Sequence, residues 1–155
     1  MTIEVFIDGA SRGVGSGVKA SHGEAACAVV IYKKQRKIAE FARPLGMRTN
    51  NEAEYEALIS ALLICSMSTE IDDPIIYSDS AVVVNQVNGK WKCTTKGLIP
   101  LLMSVNIIKN EYRFRLIQVP RDYVRAPDSL VNACLDQLAD FRSSIENSST
   151  KKANS

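Results

Sequence analysis

Residues 2–8, TIEVFID, alternate apolar and polar side chains and end on an aspartate. The isoleucine and valine side chains point to one side, and Glu4, Phe6 and Asp8 point to the other, which is the two-residue period of a β-strand. Residues 9–23, GASRGVGSGVKASHG, are rich in glycine and have neither a strand nor a helix period. We therefore predict a first strand that Asp8 closes and a long loop after it.

A hairpin and a helix are predicted next. Residues 25–32 are an apolar run rich in β-branched side chains, and the polar turn KKQRK separates them from residues 38–43, which is typical of two paired strands. Pro44, Gly46 and the sequence TNN at residues 49–51 break this pattern and supply a helix N-cap. The apolar residues that follow recur at helical spacing, which predicts a helix with one buried face.

The second half of the chain alternates helices with short strands. Residues 75–78 predict a short buried strand that ends at Asp79. The stretch AVVVNQVNG after Ser80 suits a short helix, although its valines would also suit a strand. The remaining predicted elements are a helix over residues 96–110, a strand over 113–119 and a last helix opened by Pro127 and Asp128.

Length and composition indicate one domain. A chain of 155 residues can bury a real core but is too short for two domains. We assign residues 1–142 to the domain and the polar residues 143–155 to a disordered tail. The formal net charge of +2 provides no large basic field, and the four scattered cysteines and one histidine fit no zinc site.

The same features predict where the protein is found. No stretch has the length of a membrane span, and the N-terminus does not have the pattern of a signal peptide. The dispersed cysteines indicate reduced thiols. We therefore expect a cytoplasmic protein with no membrane partner; the sequence leaves its oligomeric state open.

Four carboxylates stand at the boundaries of the predicted elements. Asp8 and Asp79 each follow a short apolar strand, and neighbouring parallel strands end side by side. Glu54 lies in the first turn of its predicted helix, and Asp128 opens the last predicted helix. Acids are favoured at helix N-termini, and this preference alone could explain both positions. If the first and fourth strands are adjacent, the two aspartates converge and need a cation between them. A hard, oxygen-rich cluster favours Mg²⁺ or Mn²⁺ over zinc.

Four collinear motifs span residues 6–136: FIDGASRG, TNNEAEYEALISAL, IIYSDSAVVVNQVNGKWK and VPRDYVRAPDSLVNACLD. They resemble the type 1 ribonuclease H family, in particular its archaeal-like branch. The resemblance implies the ribonuclease H-like α/β fold, a five-stranded mixed sheet whose first three strands are antiparallel, flanked by helices. It also places a catalytic, metal-binding tetrad on Asp8, Glu54, Asp79 and Asp128. Glu54 is preferred to Glu52 because the family's glutamate directly precedes the tyrosine.

The resemblance further implies an activity. A metal-dependent endonuclease would hydrolyse the RNA strand of an RNA–DNA hybrid with two Mg²⁺ (or Mn²⁺) ions per site, leaving 5′-phosphate and 3′-hydroxyl ends. Asp8 would bridge both ions, with Glu54 and Asp79 on the nucleophile side and Asp128 on the leaving-group side. Contacts to 2′-hydroxyl groups would distinguish RNA from DNA.

Substrate contacts are expected around the acids. The candidates for RNA contacts are Gly9, Ala10, Ser11, Asn51, Glu54 and Ser80. Thr49 and Asn50 would hold a phosphate of the DNA strand, and the two asparagines could also simply cap the helix.

Two departures from the family pattern lie on the substrate side. Gly13, Val14 and Gly15 replace the usual Asn-Pro-Gly turn, and Ala81 stands where a glutamine is common. These changes indicate weaker or altered substrate contacts. Two alternatives to the hybrid endonuclease stay open. One is cleavage of double-stranded RNA, and the other is a non-catalytic module that binds hybrids on the same fold.

Overall fold

The computed structural model of the protein describes residues 2–13 and 22–153. Its elements are β1 (Ile3–Ser11), β2 (Gly23–Lys33), β3 (Arg36–Arg48), α1 (Asn50–Ser66), β4 (Ile75–Ser78), α2 (Ala81–Val87), α3 (Ile99–Glu111), β5 (Arg115–Gln118), a 3₁₀ turn (Arg121–Val124) and α4 (Arg125–Ala153). One five-stranded sheet has the order β3-β2-β1-β4-β5. The first three strands are antiparallel, and β4 runs parallel to both β1 and β5. The predicted fold class is confirmed.

Helices cover both faces of the sheet because successive side chains of a strand point to opposite faces. On one face, α1 packs residues such as Leu58 against the buried side chains of β1 and β2. On the other face, α4 lays Val131 and Leu135 on Ala26 and Ala28 of β2. The small alanine side chains leave room for this last helix.

The strand β1 continues past Asp8 to Ser11. Residues 9–11 pair with β2, so the end of β1 is determined by its antiparallel neighbour rather than by the aspartate. On the other side of β1, the pairing with β4 ends at Phe6 and Tyr77. Asp8 and Asp79 each lie two residues beyond this pair, so they stand opposite each other. The prediction that Asp8 closes the strand was therefore wrong. The predicted loop begins only after Ser11, and its centre, residues 14–21, lies outside the described residues.

The strand β3 is also longer than predicted. It passes through Pro44 and Gly46 to Arg48. The register shifts between Ala25 and Ala26 of β2, and Gly46 has a φ of +74°, which together form a β-bulge. Because β3 is an edge strand, a proline is tolerated there. The predicted break is thus an irregularity inside a strand.

A capping box starts α1. The side chain of Thr49 accepts a hydrogen bond from the amide of Glu52 (3.2 Å), and the Glu52 carboxylate accepts one from the amide of Thr49 (2.8 Å). This reciprocal pair satisfies two amides at the helix start. Thr49 is therefore the N-cap rather than an asparagine, and Glu54 lies in the second turn rather than in the first.

The later elements follow the sequence pattern, with one difference at the end. The valine-rich stretch is the helix α2, capped by Ser80, whose hydroxyl accepts a hydrogen bond from the amide of Val83 (3.2 Å). Helix α4 begins at Arg125 and continues to Ala153, although a disordered tail is predicted from residue 143. Extending a formed helix adds one hydrogen bond for each residue that is fixed, so a polar segment can continue it. The domain boundary at residue 142 remains a prediction.

Within residues 2–13 and 22–153, no helix combines the length and apolar character that crossing a membrane requires.

Candidate active site

Three carboxylates meet where β1, β4 and α1 come together. Asp8 lies in β1, Asp79 directly follows β4, and Glu54 projects from α1; one carboxylate oxygen from each lies within 4.8 Å of the other two. Asp8 and Glu54 are only 7% and 6% exposed, and Asp79 is half-buried. The structure therefore brings together three of the four acids that the sequence indicates.

A glycine allows this close approach of strand and helix. The amide of Gly9 donates a 2.6 Å hydrogen bond to Oε1 of Glu54, which orients the carboxylate toward Asp8. A Cβ atom on Gly9 would lie 2.1 Å from the carbonyl oxygen of Ala53. No side chain can be accommodated there without moving the helix. Gly9, predicted as a substrate contact, therefore has a positioning role in its own right.

Burial and nearby charges raise the pKa values of the three acids. Burial, and then the charges of Asp79 and Asp128, raise the pKa of Asp8 from 3.8 to about 7. Burial, and then the charges of Asp8 and Asp79, raise the pKa of Glu54 well above its ordinary value. Burial also raises the pKa of Asp79. The ionised cluster is therefore unfavourable until a positive charge enters it.

The donor set fits a hard cation. All three groups are carboxylates, and the cluster contains no thiol or imidazole. Oxygen donors of this kind suit Mg²⁺ and Mn²⁺, and a divalent ion would compensate the repulsion that raises the pKa values. The arrangement can thus hold a divalent ion between β1, the end of β4 and α1.

The fourth acid stands beside the cluster. Asp128, in the first turn of α4, is half-buried, and its charge contributes to the raised pKa of Asp8. Its Oδ1 lies 3.8 Å from the guanidinium of Arg121. The charge of Arg121 also lowers the pKa of Asp79 against the effect of burial. One exposed arginine therefore lies close to two of the four acids.

Comparison with known proteins agrees with this geometry. Residues 13–134 match the family model described as Reverse transcriptase-like. Ribonuclease HI of Halobacterium salinarum is 31% identical over 136 residues, which cover 86% of this chain and 64% of that protein. The chain belongs to the type 1 ribonuclease H family. A bifunctional protein of Mycobacterium tuberculosis is 28% identical over 142 residues, 90% of this chain but 37% of that protein. The chain thus spans between about a third and two thirds of the length of these curated relatives.

Solved structures of ribonuclease H proteins superpose closely on the chain. RNase H1 of Halobacterium salinarum has a TM-score of 0.78 at 29% identity, covering 88% of this chain and 99% of that one. LC11-RNase H1, solved in complex with an RNA/DNA hybrid, has a TM-score of 0.77 at 27% identity, covering 89% of this chain and 99% of that one. The predicted family is confirmed by sequence and by structure.

Glu52 and Glu54, the two glutamates of the motif TNNEAEY, make different contacts. Glu54 belongs to the acidic cluster, whereas Glu52 closes the capping box. Oxygens of Glu52 also lie 3.3 Å from Nε2 of His22 and 3.7 Å from the guanidinium of Arg48. The geometry supports the choice of Glu54. The contact between His22 and Glu52 has no signal in the sequence, because thirty residues separate them.

Several predicted substrate contacts of this ribonuclease H domain already have partners within the protein. The amide of Ser11 donates to Oδ1 of Asn50 (3.3 Å), and the hydroxyl of Ser11 donates to the carbonyl of Arg48 (2.7 Å). Thr49 and Ser80 cap α1 and α2. The two bonds of Ser11 join the end of β1 to the end of β3 and the start of α1. The substrate roles of these residues, and of Ala10 and Asn51, remain predictions.

Proposed function

We propose that this protein is a metal-dependent endonuclease that hydrolyses the RNA strand of RNA–DNA hybrids and leaves 5′-phosphate and 3′-hydroxyl ends. The observation that carries this proposal is the cluster of Asp8, Glu54 and Asp79, whose carboxylate oxygens lie within 4.8 Å of one another. The structural similarity to LC11-RNase H1, which was solved with a hybrid, supports the substrate class.

Each acid has a role that its position supports. Asp8 is the central group, because it lies in the cluster with Glu54 and Asp79 and the charge of Asp128 also acts on its pKa. We therefore assign to it the ligand shared by two ions. Glu54 and Asp79, which share the cluster with Asp8, would hold the first ion; Asp128 would hold the second. Bound Mg²⁺ or Mn²⁺ would supply a water of lowered pKa and stabilise the leaving oxygen.

The surroundings of the acids suit a hybrid substrate. Residues 9–11 extend β1 past Asp8, and we propose that they, with Asn51 and Ser80, contact 2′-hydroxyl groups of the RNA strand. Asn50 accepts the hydrogen bond from Ser11 through its Oδ1, and its amide nitrogen has no hydrogen-bond partner among residues 2–13 and 22–150. Its amide N–H groups remain able to donate to a phosphate of the DNA strand, next to Thr49.

A cleavage assay tests the function directly. A hybrid with end-labelled RNA is incubated with the protein in Mg²⁺, in Mn²⁺ and in EDTA, and the fragment ends are identified with phosphatase. We expect cleavage that EDTA abolishes and that Asp8→Asn and Asp79→Asn each lower by a factor of at least about 10³. Asp140→Asn is the matched control, because Asp140 is an exposed aspartate of α4. Equal rates for Asp8→Asn and Asp140→Asn would contradict the proposal.

A substrate panel separates the alternatives. Double-stranded RNA and double-stranded DNA are compared with the hybrid, because a relative that cleaves double-stranded RNA would process the first at a similar rate. Ala81, at the start of α2, provides no side-chain donor two residues after Asp79. This feature and the altered first loop in the sequence favour a non-cleaving hybrid-binding module. Hybrid binding without metal-stimulated cleavage would establish that module.

We also infer a cytoplasmic location, supported by four free cysteines.

A further inference from the structure

The outward face of α3 carries a row of large apolar side chains. Ile99, Met103 and Ile107 are spaced four residues apart and are 39%, 59% and 66% exposed. Residues at this spacing lie on one face of a helix. The opposite face is already used, because Val105 is fully buried in the core. A contiguous apolar row on the solvent side of a packed helix indicates an interaction surface.

Opposite charges stand at the two ends of this row. Lys96 lies in the turn that leads into α3, three residues before Ile99, and Glu111 is the last residue of α3, four residues after Ile107. Both side chains are exposed. Within residues 2–13 and 22–153, neither takes part in an ion pair. The α3 surface, defined as these two charges and the three apolar residues between them, is therefore basic at one end and acidic at the other.

We propose that the α3 surface binds the same surface of a second copy of this chain, with the two helices antiparallel across a two-fold axis beside Met103. A two-fold axis makes each contact occur twice. Lys96 of each copy then faces Glu111 of the other, and Ile99 faces Ile107. A parallel pairing would place like charges together, so the charge pattern selects the antiparallel one.

The packing rules for helices support this arrangement. The row from Ile99 to Glu111 follows the four-residue spacing, and rows of this kind interdigitate in the commonest class of helix pairs. When the rows of the two helices interdigitate, they run side by side in opposite directions. Lys96 of one copy then lies near Glu111 at the end of the other copy's row. Long lysine and glutamate side chains can then meet at the solvent-exposed rim.

The surface is small, so the pairing should be weak. A helix of 13 residues is about 20 Å long, and interfaces below about 1,200 Å² belong to weak, transient complexes. We therefore expect a dimer dissociation constant on the order of 100 µM. Higher salt should weaken it because the charge contacts are exposed.

Sedimentation velocity between about 5 and 500 µM at low salt tests the proposal. The wild type should shift from monomer toward dimer, and Met103→Glu should stay monomeric over the whole range. Lys96→Glu and Glu111→Lys should each associate about tenfold more weakly, because both symmetric contacts become repulsive. An equimolar mixture of these two variants should recover wild-type association, because both charge contacts of the mixed dimer again join opposite charges.

Leu63→Glu is the matched control, since Leu63 is a 51% exposed apolar residue on α1. It should associate like the wild type, and thermal melts followed by circular dichroism establish that every variant is folded. A wild type that is monomeric at 500 µM would overturn the proposal. So would a mixture that associates no better than its components, or an equal loss in Leu63→Glu. The result does not depend on nuclease activity.

Discussion

The burial of Asp8 predicts that the metal-free protein becomes less stable as the pH rises. The folded state holds a proton on Asp8 up to about pH 7, whereas the ordinary pKa is 3.8. Between these values the folded state binds more protons than the unfolded chain, so its stability falls with increasing pH. A difference of about 3 pH units corresponds to at most about 4 kcal/mol. Asp8→Asn removes this cost.

Urea unfolding in EDTA measures the effect. Wild type, Asp8→Asn and Asp140→Asn are unfolded at several pH values from 4 to 8, which isolates Asp8 from the other titrating groups. We expect similar stability of wild type and Asp8→Asn near pH 4. By pH 8 Asp8→Asn should be more stable by about 2–4 kcal/mol, while Asp140→Asn follows the wild type.

Two results would refute this reasoning. If the difference between Asp8→Asn and wild type does not grow with pH, the carboxyl group of Asp8 is not held protonated by its surroundings. If Asp140→Asn shows the same gain, the effect comes from net charge and not from the cluster. Mg²⁺ should stabilise the wild type at pH 8 and leave Asp8→Asn unchanged, because a ligand stabilises only the state that binds it.

Three further substitutions test how the site is held. Gly9→Ala should destabilise the protein by about 2–4 kcal/mol in urea unfolding, because its Cβ would lie 2.1 Å from a backbone oxygen of α1. Thr49→Ala should cost about 1 kcal/mol of stability by the same measurement, whereas Thr49→Ser should keep the capping bond. Arg121→Ala should move the acidic limb of the pH–rate profile to higher pH, because the charge of Arg121 lowers the pKa of Asp79. Arg125→Ala, an exposed neighbour paired with Asp122, should leave that limb in place.

The positions of the acids could be predicted because each depends on local pattern and motif context. Asp79 directly follows the short strand β4, and Glu54 lies in a helix whose apolar residues Leu58, Ala61, Leu62 and Cys65 are buried. The choice between Glu52 and Glu54 came from the resemblance. The structure gives the physical reason for it, since a capping box occupies Glu52. Such information is carried by residues close in the chain.

The features that the sequence did not predict depend on partners far along the chain. β1 ends at Ser11 because β2 provides pairing partners for residues 9–11. β3 passes through Pro44 and Gly46 because its edge position and a bulge tolerate them. The contact between His22 and Glu52 joins two residues that are thirty positions apart in the chain. The apolar periodicity of one segment does not indicate which distant residues it will contact.

The same burial that destabilises the acids also prepares them for function. Gly9 has no side chain, so α1 can approach β1 closely. The amide of Gly9 then holds the Glu54 carboxylate beside Asp8. The electrostatic cost of this arrangement is borne by the folded protein before any ion binds. Because the carboxylates are already positioned, a divalent ion relieves repulsion as it binds and need not order flexible side chains. A site built on two rigid elements can therefore bind a hard cation with little reorganisation.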